Sequence, residues 1–168
     1  MMNVAQVLDG VGLKQPLLAA ARAKIVTGIE YDSRRIKGGD IFFAFAGVNV
    51  DGRKFADAAT AQGAVAIVSE LPPPPHSGNA GGMWIDVEHG RRALALASRN
   101  LYGNLTSDLE LTGITGTNGK TTTSYLVDAI LRAGGRQTAL VGTIEYRLAG
   151  VTRPAPNTTP ESLDFYRR

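Results

Sequence analysis

The stretch TGITGTNGKTTT, Thr112 to Thr123, constrains the fold more than any other part of the chain. The apolar segment LELTGIT precedes it and reads as a strand. TTSYLVDAILRAGG follows with Leu126, Ile130 and Ala133 at helical spacing, and Gly134-Gly135 as a stop. A strand, a glycine-bearing turn and a helix opened by Lys-Thr predict a phosphate loop. Backbone N–H groups freed by the turn and the helix start converge there and attract anionic oxygens. Gly116 and Gly119 allow the backbone angles and the close approach this needs. Lys120 would place its charge on the β- and γ-phosphates, and the Thr121 hydroxyl would ligate Mg²⁺. The generic motif has about four residues between its glycines. Here Gly113 and Gly119 are separated by five, and Gly116 and Gly119 by two. A Gly/Thr-rich turn capped by hydroxyls is therefore the alternative reading. A dinucleotide loop is disfavoured, because G-x-G-x-x-G does not occur.

The rest of the chain reads as further strand and helix units. Val4, Val7 and Leu8 line one side of a short N-terminal helix. VTGIEYDSRRIKGGDIFFAFAG (Val26 to Gly47) reads as two strands around a turn made by Asp32, Ser33 and Gly38-Gly39. Ile41, Phe43 and Phe45 alternate with Phe42 and Ala44. This strand is apolar on both faces and should lie inside a covered sheet. Phe55, Ala58, Ala59 and Gln62 then fall at helical spacing, Gly63 ends that helix, and Ala64 to Val68 resume as a strand, a unit that favours parallel pairing. Four prolines make Leu71 to Gly82 a surface loop. MWIDVE returns as a strand, in which Trp84 reads as packing. The helix HGRRALALASRNLYG follows, with Leu94, Ala97 and Leu101 on one stripe and Arg91-Arg92 on a solvated face. QTALVGTIEY is the strand after the phosphate loop, and a helix starts near Pro160. A domain boundary is expected near Glu88.

Composition excludes more than it selects. The 168 residues carry a net charge of only +3, with basic residues scattered, so no nucleic-acid surface is indicated. Cysteine is absent, which removes disulfides and thiolate metal sites. No apolar run is long enough to span a bilayer, and Met1 to Gly12 does not read as a signal peptide. A soluble cytoplasmic monomer that binds neither nucleic acid nor membrane is expected. His76 and His89 lack a partner at ligand spacing, so they do not suggest a metal site.

GTNGKTTT (Gly116 to Thr123) resembles the ATP-binding signature of the Mur ligases, the ATP-dependent amino-acid-adding enzymes of peptidoglycan synthesis. YDSRRIKGGDIFFAFAGVNVDGRKFADAATAQGAVAIV (Tyr31 to Val68) is similar to that family's N-terminal domain, which holds the uridine-diphosphate part of the substrate. VGTIEY (Val141 to Tyr146) and NTTP (Asn157 to Pro160) resemble the family's third ligase. That enzyme joins meso-diaminopimelate or L-lysine to UDP-N-acetylmuramoyl-L-alanyl-D-glutamate.

The resemblance implies an α/β fold: a small uridine-nucleotide-binding domain over 1–88, then the start of a P-loop parallel-sheet ATPase domain over 89–168. It implies ATP and Mg²⁺ as cofactors. Gly116, Thr117, Asn118, Gly119, Lys120, Thr121 and Thr122 would lie on the ATP phosphates, with Lys120 as the catalytic residue and Thr121 on Mg²⁺. Tyr31, Ser33 and Asn49 would meet the uridine nucleotide, and Asn157, Thr158 and Thr159 the muramoyl-dipeptide. From the residues alone, Asp32-Ser33-Arg34 is an ordinary side-chain-capped turn, and Asn157 to Thr159 a polar turn leading into a helix. The family's remaining domains are not represented, which implies an inactive N-terminal piece. The competing readings are a free-standing UDP-muramoyl-peptide-binding module and another P-loop ligase of the folate-polyglutamate type.

Overall fold

The computed structural model describes residues 1–46, 50–75, 84–104, 109–148, 150–155 and 159–167. Contacts divide the chain into two units: Met1–Ser107 with Ser162–Arg168, and Asp108–Glu161.

The first unit opens with β1 (Met2–Asn3) and α1 (Val4–Val7), a helix held at its start by a reciprocal cap. The Gln6 amide donates to Asn3 Oδ1 and the Asn3 amide to Gln6 Oε1, both at 2.9 Å. After α2 (Ala19–Arg22), β2 (Ile25–Val26) pairs antiparallel with β1. The main sheet is formed by β3 (Gly28–Glu30), β4 (Asp40–Phe43), β5 (Ala66–Ser69) and β6 (Trp84–Asp86), parallel throughout and in chain order. A two-strand reading of Val26 to Gly47 therefore holds, although the pair is parallel rather than a hairpin. Residues 31–39 achieve the crossover with a single 3₁₀ turn, Ser33–Arg35.

Between β4 and β5 lies α3 (Ala56–Ala61), and Gly63 ends it at φ +95°, where a Cβ would meet the Gly38 backbone at 2.9 Å. The double-sided apolar strand does what its pattern predicts. Phe42 packs with Ile67, Ala56 and Ala59 on one face, while Ile41 and Phe43 pack with Val68, Val4 and Leu94 on the other. Trp84 packs partly buried against the first of these faces.

Helix α4 (Gly90–Tyr102) buries Ala93, Leu94 and Ala97 in the same cluster as Val4 and Ile29. The packing of the first unit thus runs past the boundary expected at Glu88. A helix with an apolar stripe joins whichever sheet covers that stripe, and here it is the N-terminal one.

In the second unit, residues 109–115 join no ladder among the described residues, unlike the strand expected there. Helix α5 (Lys120–Ala133) begins at the lysine as predicted. Its stripe is not a core face: Leu126 and Ile130 are 59% and 69% exposed. The sheet of this unit is β7 (Leu140–Val141), β8 (Glu145–Leu148) and β9 (Val151–Pro154), an antiparallel meander rather than a parallel array. Its buried centre is small, Leu140 and Tyr146 with Asp128 of α5. Asp128 accepts from Thr138 Oγ1 at 2.6 Å and pairs with Arg147 Nη1 at 3.3 Å, which fixes the helix to the meander. The last element, α6 (Ser162–Tyr166), belongs to the first unit, where Leu163 is fully buried in the same cluster as α1 and α4.

Among the described residues, no helix is long and apolar enough to cross a membrane.

Candidate nucleotide sites

The loop ahead of α5 has the geometry that its residues predict. Gly116 sits at φ +145° and Gly119 at φ +80°, and Gly119 is the N-cap of the helix. Among the described residues, no side chain caps this end. The first amides of a helix have no intrahelical acceptor, and the first bond of this one runs from Thr123 N to Gly119 O at 2.9 Å. Gly119 has open space where a Cβ would stand. Lys120 Nζ folds back across the bend and donates to Gly116 O at 2.6 Å, with Thr117 O at 3.4 Å. A cation therefore rests beside exposed, uncapped amides. The loop and the helix dipole both favour an anion at that spot. Thr121 follows in the first turn, half-buried. These residues fit a polyphosphate. Among the described residues there is no group of three or more His, Asp or Glu side chains that could hold a metal by itself.

The first unit has a second candidate site at the carboxyl ends of its parallel strands, the edge at which open α/β sheets take ligands. Tyr31 and Ser33 follow β3 directly. The Asp32 carboxylate accepts from Arg34 N at 3.1 Å and pairs with Arg34 Nη2 at 2.7 Å; the bond from that side chain holds the Asp32 carboxyl below the usual range. The turn expected from Asp32-Ser33-Arg34 is present as this 3₁₀ cap. The Tyr31 ring stacks on Phe45, 6.3 Å between centroids, and the Arg91 guanidinium lies over the same Phe45 ring at 5.2 Å. Arg91, read from sequence as simply solvated, thus has an aromatic partner. The Tyr31 hydroxyl donates to Asp164 Oδ2 at 2.8 Å.

Beyond β4, Ala46 bridges to Asp51, whose carboxylate caps the next 3₁₀ turn and pairs with Arg53 Nη2 at 2.6 Å. Bonding by the Arg53 side chain lowers the Asp51 pKa. Past β5, Glu70 Oε2 accepts the Gly90 amide at 2.9 Å, and His89 Nδ1 accepts Arg92 N at 3.4 Å; His89 serves as the α4 cap.

Of the residues expected on the muramoyl side, Thr159 is exposed. Asn49, Asn157, Thr158 and His76 lie outside the described residues.

Sequence reading missed Glu30, Asp164 and Arg167. Glu30 gave one signal, a carboxylate at the end of an otherwise apolar strand. It is 2% exposed and accepts Arg167 Nη1 at 2.6 Å. Burial works against the Arg167 charge, but the bonds from its side chain to Glu30 and Tyr102 prevail and raise its pKa.

Two family models match this chain, the "Mur ligase family, catalytic domain" over residues 25–102 and the "Mur ligase middle domain" over 114–168. The chain belongs to the Mur ligase family. A UDP-N-acetylmuramoyl-L-alanyl-D-glutamate–2,6-diaminopimelate ligase of Solibacter usitatus is 55% identical over 98% of the chain and 33% of its own length. The enzyme of the same name from Geobacter metallireducens is 44% identical over 84% of the chain and 27% of its length. The chain thus spans about a third of the length of these curated relatives. A solved ligase of that name superposes on 99% of this Mur ligase chain and 32% of its own, with a TM-score of 0.69 at 24% identity. MurF from Acinetobacter baumannii covers 79% of the chain and 28% of its own, with a TM-score of 0.50 at 24% identity. These two likenesses concern the fold: a mixed α/β architecture with a parallel sheet. The middle-domain match includes α6, the element that packs with the first unit.

Proposed function

We propose that this chain is the nucleotide-holding portion of an ATP-dependent ligase of peptidoglycan precursor synthesis. The ligase would add meso-diaminopimelate, or L-lysine, to UDP-N-acetylmuramoyl-L-alanyl-D-glutamate. The observation that carries the reading is the uncapped start of α5, with Lys120 folded over Gly116 O beside it. The name of the 55% identical relative supports the choice of substrate.

Gly116 to Thr122 would present their amides to the phosphates, and Lys120 would leave the loop carbonyls to neutralise the γ-phosphoryl charge. The Thr121 hydroxyl would hold Mg²⁺, which would supply charge stabilisation during transfer. Phosphoryl transfer to the D-glutamate carboxylate releases ADP and gives an acyl phosphate. Attack by the incoming amine then forms the amide and expels phosphate. In the first unit, Tyr31 and Ser33 would hold the uridine nucleotide, joined by Asn49. Asn157, Thr158 and Thr159 would meet the muramoyl-dipeptide. A ligase that consumes ATP in this way would work in the cytoplasm.

Calorimetry on the chain tests the reading. ATP with Mg²⁺ and the UDP-muramoyl-dipeptide should each bind with one-to-one stoichiometry and without displacing the other. Competition for one site, or no heat from either, would reject it.

A further inference from the structure

We infer that Glu30 is a positioning residue: its buried carboxylate braces the Tyr31–Ser33 turn for a uridine diphosphate group, and Arg167 holds that brace in place. The inference rests on the reading of Tyr31 and Ser33 given above. A carboxylate removed from water costs several kcal/mol unless its oxygens are satisfied and its charge is met. Glu30 meets both conditions by dividing its oxygens. Oε1 accepts the Tyr31 amide at 2.9 Å and the Asp32 amide at 3.1 Å. Oε2 accepts Arg167 Nη1 at 2.6 Å, with Arg35 Nε at 3.6 Å. Arg167 Nη2 also donates to Ile29 O. The Tyr31 hydroxyl reaches Asp164, one turn before Arg167, so Tyr31 is tied at its amide and at its phenol.

An apolar side chain at the end of β3 would stabilise the sheet as well or better, since buried ion pairs are poor stabilisers. What the carboxylate adds is geometry. It pins the two amides immediately before Ser33, and Asp32 then pins the amide immediately after it. Ser33 is bracketed on both sides, so the direction in which its Cα–Cβ bond leaves the turn is fixed. Two side chains from the far end of the chain, Asp164 and Arg167, complete the arrangement.

Glu30→Gln separates the two oxygens' tasks. The amide oxygen can still serve Tyr31 and Asp32, but the amide NH₂ then confronts the Arg167 guanidinium. If the amide flips, the turn loses its acceptor. The double variant Glu30→Gln/Arg167→Met removes that conflict and keeps an acceptor for the turn.

Uridine diphosphate is titrated into the parent chain and both variants well below the thermal transition, with ATP as the second ligand. Exchange of the Tyr31 and Asp32 amides is followed by NMR. Glu30→Gln should weaken uridine diphosphate about tenfold, ~1.4 kcal/mol. It should speed exchange of those two amides and leave ATP binding within about twofold. The double variant should recover to within about threefold of the parent. Unchanged uridine diphosphate binding in Glu30→Gln, an equal loss for both ligands, or a double variant no better than the single one would overturn the inference. A parent chain that takes up no uridine diphosphate would instead reject the uridine reading itself. In that case unchanged amide exchange in Glu30→Gln would independently remove the brace.

Discussion

Leu163→Ala tests whether α6 is part of the N-terminal unit. The helix has only five residues, far too few to persist alone, so its place depends on what it docks against. Leu163 is fully buried among residues of α1, α4 and the sheet, and Tyr166 stacks on Tyr102 at 6.4 Å. Truncating a buried leucine costs about 2–5 kcal/mol, the transfer of its lost methyl and methylene groups plus the cavity left behind. The lower half applies here, because a short terminal helix can undock, and the loss cannot exceed its docking free energy. About 2–3 kcal/mol is expected. With a urea slope of about 1.5 kcal/mol/M, the midpoint should fall by about 1.3–2 M. The single tryptophan, Trp84, lies in β6, so its fluorescence reports the first unit alone. Ile130→Ala on the exposed face of α5 is the control and should leave the Trp84 midpoint in place. A shift below about 0.3 M for Leu163→Ala would refute the docking of α6.

Lys120→Ala should weaken ATP by about 10- to 100-fold in calorimetry, the loss of one cation about 4 Å from phosphate, and leave uridine diphosphate binding unchanged. Asp128→Asn removes a buried charge that meets Arg147; the guanidinium is partly exposed and keeps Glu145 at 2.6 Å, so the expected loss is about 1.5–3 kcal/mol, that of a charge-assisted hydrogen bond. In a unit with so small a core, this should collapse the amide NMR dispersion of α5 and β7–β9 while the first-unit signals persist. Asp40 is buried beside Glu30, and desolvation raises its pKa above 3.8 despite the bond from the Lys37 amide. The folded state thus binds that proton more tightly than the unfolded one. Its contribution is greatest below about pH 3.8 and is lost as pH rises through the raised value. Urea titrations from acid to neutral pH should show the parent losing ground to Asp40→Asn over that window.

Local pattern was enough wherever a residue's neighbours in sequence are also its partners. Ile41, Phe42 and Phe43 declared a strand covered on both faces, Gly63 a helix stop, and Lys120 the start of α5. Pattern failed where the partner is remote. The stripe Ala93, Leu94 and Ala97 is the same whether α4 packs forward or backward, so the domain edge was misplaced. Leu126 and Ile130 carry a core-like period, yet the described residues leave them exposed. Residues 109–115 have strand composition but join no ladder, and a strand exists only through its neighbour. At the candidate sites, the bend and helix start from Gly116 to Lys120 are contiguous, so their backbone geometry could be read directly. The Glu30–Arg167 pair joins positions 137 apart, and no periodicity encodes it.

The first unit draws its chain from two places, and Asp108–Glu161 runs between them. Seating α6 therefore closes a ring of polypeptide, at an entropic cost of about 3.5 kcal/mol for a slack segment of that length. Stiffening the intervening stretch changes that cost, with a sign set by whether its ends already lie at the spacing the first unit needs. A ligand on the Gly116–Lys120 bend would then act on the N-terminal sheet through connectivity alone, in the direction those ends dictate.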